Sequence, residues 1–455
     1  MQVLINCGVL LIIIATIVCA VSFLQYFSLF IRRRWTVRIK LPDPVGFADP
    51  ISIAENTPLT LRISCSDEVE LIFFRCGHQG FEQTHKFTTS PGTQSSLMGR
   101  WTGFDWSPSI TIPSCTLRPG LYYIKIRSRN INNPVWRAPL IVSAASRQPV
   151  IVVASTNSWN AYNHFGGLSN YTYGGIPYPL AVFDKVLRLT SFRWRIGDRH
   201  WFPIIPLPEK RPNLAVHEDL ASITSSEPQS LSHLMRGEAN LITLLERDGI
   251  DYSIVSDRDY VERVSLTGVK LVVFNTHPEY WSEETLGRLQ ETLNAAVNVA
   301  VFGGNTGYRQ VQLLKDAIAV TCQATKQGPI ARIVGLYYNA LGYNSRAGFR
   351  TLRPLHWCFE GLELRMGDVW GEAAGASGYE TDKICGGSTD IDVLAVGTNA
   401  EGPAYLVCRK HPSGAFLINA GSVAFTDGLL RDAHLSAIVA NVIHRALGPT
   451  SNTPP

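Results

Sequence analysis

The sequence predicts an α/β fold: a parallel, doubly wound sheet preceded by a small all-β sandwich and an N-terminal transmembrane helix. Three observations support this prediction. The first is an uncharged apolar segment near the N terminus, residues 9–31. The second is a series of short, turn-punctuated β-type segments up to about residue 147. The third is the alternation of buried-type strands with amphipathic helices from residue 148 onward.

The composition is that of an ordinary globular protein without a nucleic-acid partner. The 455 residues are 45% hydrophobic and 17% charged, and the formal net charge is +4. This excess is small and no long basic run accompanies it, which argues against binding to DNA or RNA. The nine cysteines include no CxxC pair, so the sequence predicts neither a disulfide framework nor a zinc site.

The first element is a predicted membrane anchor, assigned to residues 1–34. Val9–Ile31 carries no charged residue and is long enough to cross a bilayer as one helix. Arg32–Arg34 follow it, whereas a cleaved signal peptide would carry its positive charge before the apolar run. The pattern favours a single-pass anchor over a signal peptide, with the rest of the protein in the cytoplasm. A glycosylation triplet at Asn170–Thr172 points weakly the other way.

The second element is a β-sandwich accessory domain, predicted for residues 35–147. Its segments LTLRISC, VELIFFRC and LYYIKIRS are rich in branched and aromatic residues, and turn-forming clusters separate them. Short strands at this spacing are typical of an antiparallel sandwich. Trp101 and Trp106 are expected to pack in its core and at its rim rather than to bind a ligand.

The third element is the predicted α/β domain, residues 148–449, which a disordered tail follows at residues 450–455. The runs PVIVVAS, DYSIVS, VKLVVFNT and NVAVFGG alternate with amphipathic helices. One helix is expected to begin after Ser282, with Glu283 and Glu284 in its first turn. Alternation of this kind is typical of a parallel sheet with helices on both faces. Near the end, AYLVCRK and GAFLINAGS are expected to form a hairpin.

Polar residues appear where three of these strands end. Tyr162 lies after PVIVVAS, His277 and Glu279 follow KLVVFNT, and Asn305 follows NVAVFGG. Because ligands bind beyond the carboxyl ends of parallel strands, we expect these side chains to share one crevice. Taken singly, each has a structural explanation, since His277 and Glu279 could serve only to start a helix and Tyr162 could be a core residue. Their convergence at three strand ends favours a functional site.

These residue types limit the chemistry of the predicted site. No Gly-x-Ser-x-Gly motif is present and no cysteine follows these strands, which argues against covalent acyl transfer. Glutamate, histidine and tyrosine suit a hard metal ion such as ferric iron, which polarises a carbonyl and activates water. No HExxH motif occurs, so the spacing alone leaves a metal ion as one option among others.

Several long segments closely resemble the large (β) subunit of N,N-dimethylformamidase. They are STNSWNAYNHFGGLSNY, DYSIVSDRDY, THPEYWS, FGGNTGY and HPSGAFLINAGSVAFTDGLL. The resemblance runs in the same order from Pro149 to Leu447, and the β-rich region resembles the accessory sandwich of that family. It implies a class I glutamine-amidotransferase-like domain with a mononuclear ferric iron held by two tyrosines and a glutamate. Such a centre would hydrolyse a small linear amide to a carboxylic acid and an amine.

The resemblance also implies roles for individual residues. Glu279 of HPEYW matches the iron-binding glutamate, and Tyr162 of AYN best matches one iron-binding tyrosine. His277 and Asn305 match residues around the metal ligands, where they would orient the substrate carbonyl and stabilise its developing charge. Glu380, in SGYETDK, matches the carboxylate that assists the attacking water.

The second iron-binding tyrosine has no direct counterpart. It should precede the helix before DYSIVS, yet no tyrosine occurs between residues 179 and 251. Tyr171, Tyr173 and Tyr178 are the nearest substitutes, and His200 is another. Without one of them the metal centre would be incomplete, and the chain would bind another metal or none.

The leading hypothesis is a membrane-tethered, iron-dependent amidohydrolase, either a homo-oligomer or a partner of a small second subunit. Its substrate would be a small amide, although the anchor and the shorter chain argue against dimethylformamide itself. The runner-up is a non-catalytic ligand- or partner-binding homologue with a degraded metal site, which the missing tyrosine favours. A carbohydrate-active protein is a third reading that rests on the tryptophan content alone.

Overall fold

The computed structural model describes residues 36–448, with gaps. The gaps are residues 131, 172–194, 197–198, 201–205, 217–219, 221–232, 324–327, 340, 344 and 386–389. Only the backbone is described for residues 195–196, 199–200 and 322–323. The predicted anchor segment and the predicted C-terminal tail both lie outside the described residues.

The region before residue 144 consists of short strands that form two main sheets. Its strands are β1 (Thr36–Arg38), β2 (Val45–Ala48), β3 (Ser52–Ala54), β4 (Leu59–Ser64), β5 (Val69–Gly77), β6 (Gly80–Thr89), β7 (Leu97–Gly99), β8 (Ile110–Ile112), β9 (Gly120–Ser128) and β10 (Trp136–Ser143). One sheet has the order β3–β10–β9–β5–β6, another has the order β2–β4–β8, and β1 pairs with β7. Leu61 of the second sheet shares an apolar core with Phe73 and Ile124 of the first, because alternate side chains of each strand point inward.

The rest of the chain combines helices with many further strands. The strands are β11 (Val150–Ala154), β12 (Arg195–Ile196), β13 (Arg199–His200), β14 (Pro206–Pro208), β15 (Tyr252–Ser256), β16 (Leu271–Thr276), β17 (Tyr280–Ser282), β18 (Asn298–Gly303), β19 (Arg309–Leu314), β20 (Ala317–Gln323), β21 (Leu336–Tyr338), β22 (Arg346–Ala347), β23 (Phe349–Thr351), β24 (Val369–Trp370), β25 (Ser377–Gly378), β26 (Asp382–Ile384), β27 (Ile391–Gly397), β28 (Tyr405–Lys410) and β29 (Phe416–Asn419). The α-helices are α1 (Thr156–Tyr162), α2 (Met235–Arg247), α3 (Asp257–Glu262), α4 (Glu283–Asn294), α5 (Pro329–Val334) and α6 (Ala433–Leu447). Short 3₁₀ turns cover Phe165–Gly167, Trp357–Phe359 and Val423–Gly428.

The local signals for helices and hairpins are confirmed. Helix α4 begins after Ser282, whose hydroxyl accepts a hydrogen bond from the backbone N–H of Thr285. Leu241, Leu244 and Leu245 are buried on α2, as their spacing predicts. Strands β28 and β29 pair antiparallel as the predicted hairpin.

The predicted doubly wound parallel fold is wrong. The largest sheet has the order β15–β11–β16–β18–β29–β28–β27–β23–β24, and only its first part, from β15 to β29, is parallel. From β28 onward its strands pair antiparallel. The physical reason is the hairpin of β28 and β29. A short turn joins these strands and can connect only antiparallel neighbours, so the sheet changes direction there and the protein is mostly β with large mixed sheets.

The predicted membrane anchor requires a second correction. No helix among the described residues is long and apolar enough to cross a bilayer. The segment that suggested an anchor, residues 9–31, lies outside the described part of the chain. This finding also corrects the predictions that depended on such a helix, namely a membrane partner, a single-pass topology and a cytoplasmic location.

The largest sheet separates two apolar cores. Val150 and Val152 of β11 point to one face, and Ile151 and Val153 point to the other, which gives β11 its uninterrupted apolar sequence. The first core also includes residues of the N-terminal sheets, and an ion pair of 2.5 Å joins Arg75 to a glutamate of α2. The N-terminal region thus packs directly against the part of the chain that carries the strand ends described next.

Candidate active site

The candidate site lies beyond the carboxyl ends of β11, β16 and β18. These strands are neighbours and run parallel, so their ends reach the same edge of the sheet. Tyr162 ends α1, which follows β11, and His277 and Glu279 follow β16. Asn305 follows β18, and Glu380 comes from the turn before β26. The structure therefore brings together all five residues named from the sequence.

His277 connects the two carboxylates of the site. Its Nε2 lies 2.8 Å from Oε2 of Glu380 and 3.4 Å from Oε2 of Glu279. Asn305 completes the group, because its Nδ2 donates to Oε2 of Glu380 at 3.1 Å and lies 3.4 Å from Nε2 of His277. All four residues are buried. The imidazole of His277 therefore shares the site with both carboxylates, as the convergence of the strand ends predicted.

Burial and charge oppose each other in the pKa values of this group. Burial lowers the pKa of His277, but the adjacent Glu380 carboxylate outweighs it and raises that pKa above its ordinary value. Burial raises the pKa of Glu380, but the charge and hydrogen bond of His277 hold it below its ordinary value. Burial raises the pKa of Glu279 to about 7. His277 and Glu380 therefore favour each other's charged forms, and burial brings the pKa of Glu279 close to neutral pH.

Tyr162 is held against Glu279. Its hydroxyl donates to Oε2 of Glu279 at 3.0 Å. Burial, together with the charges of Glu279 and Glu380, raises the pKa of the phenol far above its ordinary value. The hydroxyl therefore keeps its proton unless a cation compensates the charge of the phenolate.

Two side chains of α1 fix the helix on the segment that carries His277 and Glu279. The hydroxyl of Ser158 donates to the carbonyl oxygen of His277 at 2.6 Å, and Nδ2 of Asn157 donates to the carbonyl oxygen of Tyr280 at 3.1 Å. The carboxylate of Asp257 accepts from the backbone N–H of Asn157 at 2.8 Å, which holds the beginning of the helix. These bonds are buried, so they set the position of Tyr162 relative to Glu279.

Asp382 holds the turn that presents Asn305. Its two carboxylate oxygens accept from the backbone N–H groups of Asn305 at 2.8 Å and Thr306 at 3.1 Å. Gly304 lets other segments approach closely, because a Cβ there would lie 2.6 Å from the carbonyl oxygen of Glu380. The absence of a Cβ at Gly304 thus makes room for the backbone of the neighbouring strand-end turns.

Strained backbone is concentrated around the site. Thr276, Asn305, Tyr379 and Glu380 have φ values of 59°, 57°, 50° and 53°, in the left-handed region that non-glycine residues seldom adopt. For a β-branched residue such as Thr276 this conformation is a genuine outlier. Strain of ~1–3 kcal/mol per residue persists only where the surroundings enforce it, and it is often found at functional sites.

A second tyrosine lies beside the first. The ring centroids of Tyr162 and Tyr171 are 4.8 Å apart, and the hydroxyl of Tyr171 interacts with that of Tyr162. The same hydroxyl lies 3.1 Å from the hydroxyl of Tyr280. Among the substitutes considered for the second iron-binding tyrosine, Tyr171 therefore reaches the site. Tyr173 and Tyr178 lie outside the described residues, as does the side chain of His200.

The oxygen donors of the site can be compared with the iron centre that the resemblance implies. The described residues contain no group of three or more His, Cys, Asp and Glu side chains arranged to hold a metal ion. Tyr162, Tyr171 and Glu279 nevertheless bring two phenols and a carboxylate together, which are the hard ligands that ferric iron prefers. Nδ1 of His277 and Oδ1 of Asn305 are buried beside them without a hydrogen-bond partner in the described structure. The donor types are those of the implied centre, and Oδ1 of Asn305, a residue that lines the cavity, would be satisfied by a bound group.

The site opens into a cavity of about 480 Å³. The polar part of its wall consists of these side chains: Glu279, Asn305, Glu380, Arg309, His164 and Ser169. The remaining wall is largely aromatic and includes these side chains: Tyr162, Tyr171, Tyr308, Tyr338, Tyr343 and Tyr379. A polar end and an aromatic wall are typical of a small-molecule site.

Sequence reasoning missed two residues of the site, one that lines the cavity and one that packs against Tyr162. Arg309, on β19, lies 3.6 Å from Glu279, and His233 packs against Tyr162 with ring centroids 4.6 Å apart. Arg309 immediately follows the quoted segment FGGNTGY, so proximity to a strand end was a usable signal. His233 lies just before α2. It is many positions away in the sequence from every other residue of the site, and no local pattern identifies it.

Comparison with solved structures gives only partial likenesses. A cold-adapted β-galactosidase from Rahnella sp. R3 matches at 12% identity over 46% of this chain and 26% of that chain, with a TM-score of 0.31. The mmIFT52 N-terminal domain matches at 14% identity over 46% and 89%, with a TM-score of 0.31. A ThuA-like protein from Parabacteroides merdae matches at 15% identity over 48% and 87%, with a TM-score of 0.28. Likenesses at these TM-scores carry no argument about function.

Family comparison is informative where the individual relatives are not. None of the curated proteins compared with the chain matches its sequence. The family described as N,N-dimethylformamidase beta subunit-like, C-terminal, matches residues 72–436. This span covers more than half of the chain and includes every residue of the candidate site. The chain therefore belongs to the N,N-dimethylformamidase beta subunit-like family.

Proposed function

We propose that this protein is an iron-dependent amidohydrolase that cleaves the C–N bond of a linear amide. The observation that carries the proposal is the buried ion pair of 2.8 Å between His277 and Glu380, with Glu279 beside it at the polar end of the cavity. A carboxylate held ionised next to a cavity is suited to accept a proton from water. Membership in the family supports the same type of reaction.

Tyr162, Tyr171 and Glu279 would hold the iron. When bound, ferric iron supplies a Lewis acid that polarises a carbonyl group and lowers the pKa of water. Binding at these residues requires both phenols to lose their protons. Burial raises the pKa of Tyr162 far above its ordinary value, and partial burial raises the pKa of Tyr171, which is 49% exposed, to about 12. Iron uptake should therefore release protons and become stronger as the pH rises.

The side chains of this chain then account for the proton transfers. Glu380 accepts a proton from the attacking water while the water oxygen bonds to the carbonyl carbon. His277 keeps Glu380 ionised before this step, and Asn305 has an amide group that can donate to the developing negative charge on the carbonyl oxygen. The C–N bond breaks when Glu380 returns the proton to the nitrogen. The products are a carboxylic acid and a free amine.

The test combines metal analysis with hydrolysis assays on the purified full chain supplied with ferric iron. We expect bound iron, a visible absorption band from ferric tyrosinate, and release of amine from small linear amides. Glu380→Gln should lower kcat by ~10²- to 10⁴-fold without changing the absorption band, because it removes the proton acceptor and no metal ligand. Glu279→Gln should lower the iron content and the band. Glu363→Gln, at an exposed position, is the matched control.

The alternative is a non-catalytic binding homologue with a degraded metal site. Its main support was the missing second tyrosine, and the position of Tyr171 weakens that support. A protein that binds neither iron nor another metal and releases no amine from any amide would favour this alternative and overturn the proposed hydrolase.

A further inference from the structure

The wall of the cavity contains a cation that the proposed chemistry does not use. Arg309 begins β19, and its backbone N–H donates to the carbonyl oxygen of Glu279 at 2.9 Å, which fixes its position beside the site. Its side chain lines the cavity and is 22% exposed. The guanidinium carbon lies 4.9 Å from the centre of the Tyr308 ring, a cation–π contact that orients the group.

The guanidinium of Arg309 makes no hydrogen bond to any residue that the structure describes. Its Nε is buried without a partner, and the nearest acid oxygen, Oε1 of Glu279, is 3.6 Å away, too far for a hydrogen bond. An arginine carries five N–H donors and stays charged. Because water reaches only part of this group, an anion that accepted these hydrogen bonds would be stabilised.

Glu279 is a poor counter-ion for Arg309. Its other oxygen, Oε2, accepts the hydroxyl proton of Tyr162 at 3.0 Å and lies 3.4 Å from His277. Its Oε1 is too far from Arg309 to accept a hydrogen bond, so the donors of the guanidinium remain available to a ligand in the cavity.

The size of the cavity also bears on the substrate. Small-molecule pockets of roughly 300–1,000 Å³ enclose drug-sized ligands, and the cavity here has about 480 Å³. A small neutral amide of the formamide type would leave most of this volume and most of the tyrosine wall without contact. The volume and the wall fit a longer molecule with an apolar part that packs against aromatic rings.

We propose, on the basis of the hydrolase function proposed above, that the substrate is an amide that also carries a free carboxylate. Arg309 binds the carboxylate through two parallel hydrogen bonds, a geometry that matches the planar guanidinium. The amide group lies at Glu279, Asn305 and Glu380, and the apolar part lies along the tyrosine wall. Arg309 is therefore a specificity-determining residue of this site.

The test uses matched ligands that differ in one charge. N-Benzoyl amino acids with one to three methylene groups before the carboxylate are compared with the N-alkyl benzamides that lack it. Calorimetry measures their affinities for the purified full chain, and amine release measures kcat/KM after iron loading. We expect the wild-type protein to prefer the best carboxylate over its neutral partner by about tenfold or more in affinity and in kcat/KM.

Variants of Arg309 show whether the preference depends on this residue. Arg309→Gln should abolish the preference and change binding of the neutral amides less than about threefold, because it removes the charge from the cavity wall. Arg309→Lys should keep part of the preference, since the charge remains without the planar fork. Arg353→Gln, which removes an exposed arginine, should leave the preference intact and controls for net charge.

The outcomes separate this inference from the hydrolase proposal. Arg309-dependent binding of carboxylates without hydrolysis of any amide would refute the proposed function and support the ligand class. Hydrolysis of neutral and anionic amides at equal kcat/KM, unchanged by Arg309→Gln, would support the function and overturn the inference. If Arg309→Gln does not fold, a wild-type preference that Arg309→Lys reduces without abolishing it supports the inference, and equal affinities of the wild-type protein for both ligand types overturn it.

Discussion

The buried carboxyl of Glu238 provides a quantitative prediction. Glu238 lies in the first turn of α2 and has no exposed surface. Its Oε1 accepts from the backbone N–H of Ser155 at 2.9 Å, and its Oε2 accepts from Nδ2 of Asn275 at 2.7 Å. Burial raises its pKa from 4.5 to about 8, because these two hydrogen bonds do not replace the lost solvation of a charge.

The sign and size of the effect follow from linkage. Above pH 4.5 the unfolded chain releases the proton of Glu238, whereas the folded state keeps it up to a pH of about 8. The contribution of this group to the free energy of unfolding is therefore fully present below pH 4.5 and is lost as the pH rises toward 8. With pKa values of 4.5 and about 8, this group alone should lower the free energy of unfolding by ~3–4 kcal/mol between pH 5 and pH 8.

Glu238→Gln removes this titration and keeps the shape of the side chain. The glutamine can remain hydrogen-bonded, because Oδ1 of Asn275 is buried without a partner among the described residues and can face the new amide group if Asn275 turns over. Urea unfolding followed by tryptophan fluorescence at pH 5 and pH 8 measures the effect. We expect the free energy of unfolding of the variant, minus that of the wild-type protein, to increase by ~3–4 kcal/mol from pH 5 to pH 8.

The matched control is Glu363→Gln, at an exposed position, which should follow the pH dependence of the wild-type protein. A stability difference between Glu238→Gln and the wild type that stayed constant from pH 5 to pH 8 would falsify the assignment of a protonated, buried Glu238.

Three substitutions test how the strand-end segments are held. Ser158→Ala removes the donor to the carbonyl oxygen of His277 and should lower the free energy of unfolding by ~1–3 kcal/mol in urea; unchanged stability would show that this buried bond contributes nothing. Asp382→Ala leaves two buried backbone N–H groups without their acceptor and should lower the free energy of unfolding by at least ~2 kcal/mol. The measurement is a lower midpoint of thermal unfolding, and an unchanged midpoint would contradict the role of Asp382 in holding the turn. Gly304→Ala places a Cβ 2.6 Å from backbone atoms and should lower the free energy of unfolding by ~1–3 kcal/mol in the same thermal assay. Gly287→Ala, on α4 with open space around it, is the control and should be neutral or stabilising. Equal effects of the two alanines would contradict the crowding at Gly304.

Local sequence patterns predicted the elements and the strand ends of the site. The apolar runs of β11, β16 and β18 are buried strands, and the residues that interrupt them lie at one edge of the sheet. Tyr162, His277, Glu279 and Asn305 could be named for this reason, because the ends of adjacent parallel strands meet whatever the rest of the fold does. Their catalytic and metal-binding roles stay predictions.

Other features of the site needed information that no local pattern contains. Glu380 was named only through the family resemblance, and it reaches His277 across more than a hundred positions of sequence. Arg309 and Asp382 received no role, because an isolated arginine or aspartate in a polar segment looks the same whether it lines a cavity or faces solvent. The hydrogen bonds of Asp382 to the turn at Asn305 exist only because β26 returns to the same edge of the sheet.

The sequence by itself determined the buried strands β11, β15, β16 and β18, the start of α4, the hairpin of β28 and β29, and that polar groups follow the buried strands. These properties depend on the side-chain period and on capping groups within a few residues of each other. The tertiary structure decided that the large sheet is mixed, that His277 lies between two carboxylates, and that Arg309 faces a cavity. Strand direction and side-chain approach depend on contacts between segments far apart in the chain, whose free energies no short stretch of sequence specifies.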